Sequence, residues 1–393
     1  MIKMKRITVL GNFSGRNAGD NAILGNLLND FHSKISDVVF LIPTLNRQFI
    51  IESFGHYPVR PVSLMPWNLT LRNFGWPMFK AMTDTDLILI TDNILFDRKF
   101  NNPLVNYLKS IAFFSGFAKK KTIPIVPYNA SIGPINTRDG AKALQKVLDA
   151  CPLVISRDYQ AVELIENLRL KCPTIIFGAD SALNTMPVSN ERLGEITEKF
   201  DLFRNPNGTI GLNVNSYLNN WNKKGSLNKD DFCKTIASTA DQLINKLHVN
   251  VLFVVTQIMD ESITRECIKI MKNQSRVKLV SNKHLNFREL ATLLGKVDVH
   301  AGMRTHTLIF SAAMGTPMIS INTYPKSAAF MKTIGMDDWT INVDEISKER
   351  LFQIIELAWH NRSETGEKMN PLVSLEKKKA RENVAKVISI MNG

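Results

Sequence analysis

No stretch of the 393 residues approaches the roughly 20 consecutive apolar residues that a bilayer crossing requires. The longest candidate, Ile111 to Ala118, is broken by Ser115 and Gly116. An apolar leader with a cleavage-like site is missing too. The start runs through Lys3, Lys5 and Arg6 into a short strand-like segment, so no secretory signal is expected and the chain is expected in the cytoplasm. Cysteine is scarce, and Cys151, Cys172, Cys233 and Cys267 lie far apart, without the close pairing of a redox or zinc site. His300 and His306 form no ligand-spaced cluster with them, so no metal is expected. Acidic residues are outnumbered by basic ones, 36 to 49, and the net charge of +13 favours an anionic partner: nucleic acid, anionic lipid or a phosphorylated metabolite. Zinc-finger spacing, an aromatic–basic ribonucleoprotein signature and a basic helix array are all missing, so nucleic acid is not an expected partner. What is present, 44% hydrophobic and 22% charged residues, excludes a disordered or fibrous chain, and the length suits two domains better than one.

Strand, loop and helix alternate along the chain. Ile7 to Leu10 is a short apolar run, and Ile23, Leu24, Leu27, Leu28 and Phe31 then recur with helical spacing. Val38 to Ile42, Leu87 to Ile90, Ile123 to Val126, Leu153 to Ile155 and Thr174 to Phe177 read as further strands, aliphatic enough for a parallel sheet covered on both faces. A polar stretch, 187–208, interrupts the rhythm and reads as a linker region. The alternation then restarts. Strands are predicted at Ile210 to Val214, Val249 to Val255, Val277 to Val280, Val297 to Val299 and Met318 to Ile321, with helices near 230–247, 261–272, 287–295 and 305–314. The fold class is therefore α/β, with two Rossmann-like doubly wound domains facing a cleft. Residues 1–186 form the N-terminal domain and 209–363 the C-terminal one. Residues 364–393 supply a last helix, near 375–391, that is placed back on the first domain.

Ligands of such sheets collect at loops leaving the carboxyl ends of strands. Four loops carry suitable chemistry. The first, Gly11 to Asp20, combines glycines with a helix start that offers unpaired N–H groups; its structural reading is that Asp20 or Asn21 caps the helix. It lacks the lysine of a phosphate-binding loop and the glycine spacing of a dinucleotide fingerprint. The second, Ser156-Arg157-Asp158, places a guanidinium able to hold a carboxylate or phosphate at a strand end, or simply an Arg157–Asp158 surface pair. The third, His300 to His306, sets Arg304 and His306 two positions apart at a helix start, an anion-attracting corner. The fourth, Asn322 to Lys326, brings Lys326 within reach as a point charge or leaves it a solvated lysine.

Together these segments resemble the polysaccharide pyruvyltransferase family. The matching features, in order, are Gly15-Arg16-Asn17-Ala18-Gly19-Asp20 with Ala22-Ile23-Leu24, Ile132-Gly133-Pro134, Ser156-Arg157-Asp158, Asp180-Ser181-Ala182, Arg304-Thr305-His306, Gly315-Thr316-Pro317 and Tyr324-Pro325-Lys326. The resemblance implies two Rossmann-like domains of the kind seen in GT-B glycosyltransferases. It implies transfer of a pyruvyl group from phosphoenolpyruvate to a saccharide as a cyclic ketal, with no obligatory cofactor. It assigns Arg157, Arg304 and Lys326 to the donor, His306 to general acid catalysis, and Asn17, Asp20, Asp92 and Asn93 to the acceptor or cleft loops. One departure stands out: where the family usually has consecutive glycines, this chain has Thr91-Asp92-Asn93.

The acceptor is expected to be a saccharide, lipid-linked among the alternatives. Between Arg98 and Lys121 six basic residues and no acidic one surround Leu104, Val105, Leu108, Ile111, Phe113, Phe114 and Phe117; Leu64 to Met82 adds Trp67, Leu69, Leu71, Arg72, Phe74, Trp76 and Phe79. The ordinary reading is a helix packed on the sheet with solvated lysines. The functional alternative is peripheral contact with anionic lipid at the inner face of the membrane. Two rival functions share the architecture: a glycosyltransferase using a nucleotide-sugar donor, and a non-catalytic sugar- or anion-binding protein.

Overall fold

Strands whose residues are aliphatic on both faces must be covered on both faces, and both halves of the chain are built that way. The structure, a computed structural model, describes residues 4–64, 76–98, 107–217, 228–323 and 325–392. Trp67, Leu69, Leu71, Arg72, Phe74, Leu104, Val105 and Tyr324 lie outside the described residues. The chain divides into two units, one of residues 1–15, 23–181 and 377–393, the other of 16–22 and 182–376.

The first unit holds a parallel sheet of β1 (Lys5–Leu10), β2 (Val38–Thr44), β3 (Val59–Ser63), β4 (Leu87–Ile90) and β5 (Ile125–Pro127), ordered β3-β2-β1-β4-β5. The order reverses between β1 and β4. A parallel pair, β6 (Leu153–Ser156) and β7 (Thr174–Phe177), is linked to the residues after β5 by a bridge between Ala130 and Ser156. All four residues of β4 are buried, and the helix Ala18–His32 sinks Ile23, Leu24, Leu27, Leu28 and Phe31 into the core. Residues from the end of the chain complete this unit. Tyr128 Oη and Asn129 Nδ2 both donate to the Ala380 carbonyl, at 3.1 and 2.9 Å, and Arg381 lies 3.4 Å from the buried Asp30.

The second unit holds β8 (Thr209–Asn213), β9 (Asn250–Val255), β10 (Val277–Ser281), β11 (Val299–Gly302), β12 (Met318–Asn322) and β13 (Thr340–Asn342), all parallel and ordered β10-β9-β8-β11-β12-β13. Here the reversal falls between β8 and β11.

Three sequence expectations change. The strand expected at 297–299 runs instead from Val299 to Gly302 and takes His300 into the core. Glycines make that possible: a Cβ on Gly302 would lie 2.6 Å from His300 Nε2, and one on Gly211 would lie 3.0 Å from Nδ1. Burial pushes the His300 pKa down to about 3, so the ring is neutral. The stretch 187–208 contains a helix, Asn190–Lys199, capped by Ser189 and fixed within this unit by Arg192 against the buried Glu289 at 2.7 Å. Its polarity reflects a solvated helix with Ile196 as its buried residue. The terminal helix expected at 375–391 is two helices, Arg362–Glu382 and Val384–Asn392. Among the described residues no helix is long and apolar enough to cross a membrane.

Candidate functional site

In an open parallel sheet the strands diverge where their order reverses, and a crevice forms at their carboxyl ends. In the second unit the loops at that point carry Arg304 and His306. Arg304 caps the helix Thr305–Met314 with an extended backbone, and its amide donates to Asn213 Oδ1, at the end of β8, at 2.9 Å. Its side chain is held on two sides. Nε and Nη2 fork onto Asp260 at 2.7 and 2.8 Å, and the guanidinium carbon lies 5.2 Å from the centre of the Tyr217 ring. Asp260 is fully buried, and its Oδ1 also accepts from Ser216 N and Oγ at 2.9 and 2.8 Å. This is a buried carboxylate whose charge and lone pairs are both met. Among the described residues Arg304 Nη1 donates no hydrogen bond, so the fork is fixed with one amino group left for a ligand.

His306 follows in the first turn of the same helix, half-buried against Gly19. A Cβ on Gly19 would fall 2.1 Å from His306 Nδ1, so the absent side chain is what admits the imidazole. Gly19 belongs to this unit because residues 16–18 run along the end of β9. Ala18 N donates to Thr256 O at 2.8 Å, while Ile258 N and Asn282 Nδ2 donate to Arg16 O at 3.2 and 3.0 Å. The cap of the Ala18–His32 helix is Asn17 rather than Asp20 or Asn21: its Oδ1 accepts from Gly19 N at 2.9 Å and its Nδ2 donates to Asp20 Oδ1 at 2.9 Å. Asp20 is buried in the first turn. Lys326 lies in the first turn of the helix Pro325–Thr333, half-buried, not in a loop. The Thr305 and Ser327 hydroxyls, 2.7 Å apart, tie that turn to the start of the Arg304 helix. One end of the second sheet therefore gathers the segments bearing Asn17, Asp20, Arg304, His306 and Lys326.

Arg157, Asp92 and Asn93 belong to the other unit. Asp92 and Asn93 leave the carboxyl end of β4, at that sheet's own reversal. Asp92 has φ +62°, the left-handed conformation that glycine favours, at the place where the family's glycines are replaced. Its Oδ1 lies 3.8 Å from Arg157 Nη2. Arg157 also donates from Nη1 to Asp180 Oδ2 at 2.5 Å and from Nε to Ser131 Oγ at 2.8 Å, with 11% of its side chain exposed. Asp158 plays a capping role. That carboxylate caps the helix Tyr159–Asn167 through Ala161 N at 3.0 Å and accepts from Ser131 Oγ. One arginine thus faces two carboxylates here.

A polysaccharide pyruvyl transferase family model matches residues 17–324, most of the chain and every residue of the two clusters except Lys326. The chain belongs to the polysaccharide pyruvyl transferase family. Among solved structures this family member is similar in fold to Anabaena HepE in complex with UDP-glucose, with 13% identity, a TM-score of 0.63 and coverage of 98% and 99% of the two chains. It is also similar to UDP-GlcNAc 2-epimerase from Methanocaldococcus jannaschii, at 10% identity and a TM-score of 0.66 over 98% and 99% of the chains. E. coli ADP-heptose LPS heptosyltransferase II follows at 12% identity and a TM-score of 0.53, over 91% and 99%. These likenesses establish the fold: doubly wound α/β, of the GT-B type.

Sequence reasoning missed Asp260 and Tyr217. Asp260 closes the 3-10 turn Ile258–Asp260 after β9 and Tyr217 lies beyond the end of β8, 44 and 87 positions from Arg304, so no local spacing announces them. The available signal was an aspartate in the loop after the predicted strand 249–255, the same kind of position that drew notice to Arg304.

Proposed function

We propose that the protein transfers the pyruvyl group of phosphoenolpyruvate to a saccharide acceptor as a cyclic ketal, in cell-surface polysaccharide or glycoconjugate biosynthesis. The observation that carries this reading is the family match over residues 17–324, which spans the segments bearing Arg304, His306 and Asp92. The chemistry of the second unit's corner is compatible with it. Phosphoenolpyruvate carries a carboxylate and a phosphate on three carbons, and hydrogen bonds from charged donors contribute about 1.5–3 kcal/mol each.

In this reading Arg304, pre-oriented by Asp260 and Tyr217, and Lys326 bind the donor's anionic groups. His306 gives a proton to the methylene carbon, and positive character develops at C2. One sugar hydroxyl adds to C2 and its proton restores the imidazolium. Phosphate departs with the C2–O bond, and the second hydroxyl closes the ring as its proton leaves with phosphate. Arg157 is left out of the donor set, because Asp180 and Asp92 already match its charge. Asp92, Asn93 and Arg157 suit a neutral, hydroxyl-rich acceptor better than a second anion.

The test is a screen of saccharides with phosphoenolpyruvate, read by phosphate release and by the mass gain of a pyruvyl ketal. Calorimetry with phosphoenolpyruvate against uridine nucleotides distinguishes the nucleotide-sugar alternative: tight uridine nucleotide binding without any phosphoenolpyruvate binding would overturn the proposal. Binding of phosphoenolpyruvate with no phosphate release under any acceptor would reduce the protein to an anion binder.

A further inference from the structure

The first unit carries an outward face that its own core does not use. The helices Trp76–Thr83 and Leu108–Lys120 pack against each other and bury Met78, Met82, Leu108, Ile111 and Phe114. On their outer side Trp76 is 59% exposed, Phe113 49% and Phe117 38%. These rings form one continuous cluster. Trp76 stacks on Phe79 at 5.4 Å, Phe79 meets Phe117 edge-on at 5.3 Å, and Phe117 lies 5.4 Å from Phe113. Scattered exposed aromatics need no explanation, but a contiguous patch marks an interaction surface.

The charge around the patch decides what covers it. Lys109, Phe113, Gly116, Phe117 and Lys120 are all exposed and recur at helical spacing, so the aromatic rings and lysines share one stripe. Lys80 and Lys119 are exposed beside it, while Lys121 is turned back to donate to the Thr83 carbonyl at 3.0 Å. Neither helix contains an aspartate or glutamate. Nothing within 4 Å would meet a side chain at Gly116, so the helix surface between Phe113 and Phe117 is open there. Tryptophan and phenylalanine projecting from helices that carry lysines and no carboxylate of their own match the interfacial layer of an anionic bilayer.

We propose that this face, centred on Trp76, Phe113 and Phe117, docks the protein on anionic membrane lipid. The assignment stands apart from the reaction proposed above. Where both hold, the acceptor is a lipid-linked saccharide met at the membrane surface.

Co-sedimentation of the full chain with phosphatidylcholine vesicles, with and without phosphatidylglycerol, tests it. Binding is expected to the anionic vesicles at low salt, weakened by added salt and absent from pure phosphatidylcholine. The double variant Phe113→Glu/Phe117→Glu should lose at least about tenfold in vesicle affinity, and Lys109→Glu/Lys120→Glu a comparable factor, while circular dichroism stays native. Brominated lipid should quench Trp76 fluorescence in the wild type, and Trp76→Phe should remove that part of the quenching. No binding to anionic vesicles at low salt overturns the proposal and points to an acidic protein surface as the occupant. Undiminished binding by folded Phe113→Glu/Phe117→Glu protein overturns it as well. Neither result would touch the phosphate-release assay.

Discussion

Two sheets of the same topology end in opposite chemistry. Each reverses its strand order once, and each reversal is furnished with an arginine, buried carboxylate and small polar groups. In the second unit the pairing is one to one. Asp260 receives four hydrogen bonds and leaves Arg304 rigid, with His306 and Lys326 on helix starts beside it. In the first unit one arginine serves both Asp180 and Asp92. Another buried carboxylate, Asp30, fares worse: Arg381 is 3.4 Å from Oδ1, while among the described residues Oδ2 has no hydrogen-bond partner. Topology fixes where a site can form; the carboxylates and guanidiniums that the loops bring there set its charge.

The contrast can be broken or sharpened by substitution. The largest effect is expected at His306. His306→Ala should lower turnover by about 10²–10⁴-fold in a phosphate-release assay, and near wild-type turnover would remove the acid from the scheme. Asp260→Ala strands a largely buried guanidinium and should destabilise the fold by about 3–5 kcal/mol, read as a shift in urea midpoint at unchanged slope. Asp180→Ala should cost less, about 1–3 kcal/mol, because Asp92 still faces Arg157. Equal losses would mean that Asp92 does not share the charge.

Asp30 supplies a pH test. Burial pushes its pKa up to about 6, with Arg381 and Asn29 offsetting only part of the rise. The folded state therefore holds this proton more tightly than the unfolded chain. Its contribution is greatest below about pH 4 and declines as pH rises through about 6, on the order of 2–3 kcal/mol in all. Urea titrations across that window should show the slope in the wild type and lose it in Asp30→Asn. The smallest change is expected for Asp92→Gly, which relieves a left-handed backbone while removing one carboxylate from Arg157. Stability should move by less than about 1 kcal/mol, while calorimetry with inorganic phosphate should show tighter binding. Unchanged phosphate affinity would show that Asp92 does not screen Arg157.

Most of the architecture was legible because parallel strands and their covering helices impose local periods. The runs at Leu87 to Ile90 and Thr174 to Phe177, and the helix Thr305–Met314, emerge where the pattern puts them. Arg304 and His306 were legible as a pair because two positions on one helix start are a local fact. Their partners were not. Asp260 reaches Arg304 from the loop after β9, and Gly19 reaches His306 from the other end of the chain; contacts of that range leave no spacing to read. The burial of His300 was missed for a related reason, since the space it needs comes partly from Gly211 on a neighbouring strand. The lysine-rich helix shows the opposite limit. Its period was plain, but only packing could say that Phe113 and Phe117 face outward.

The carbonyl of Ala380, gripped by Tyr128 and Asn129, has a consequence for biosynthesis. The unit that is translated first cannot be finished until the ribosome has made residues 377–392, which follow directly on the second unit. Until then Tyr128 and Asn129 wait for the helical segment that carries Ala380. A deletion at the C-terminus is therefore a lesion of the N-terminal half, and nascent chains stalled late in translation should be the ones that chaperones hold.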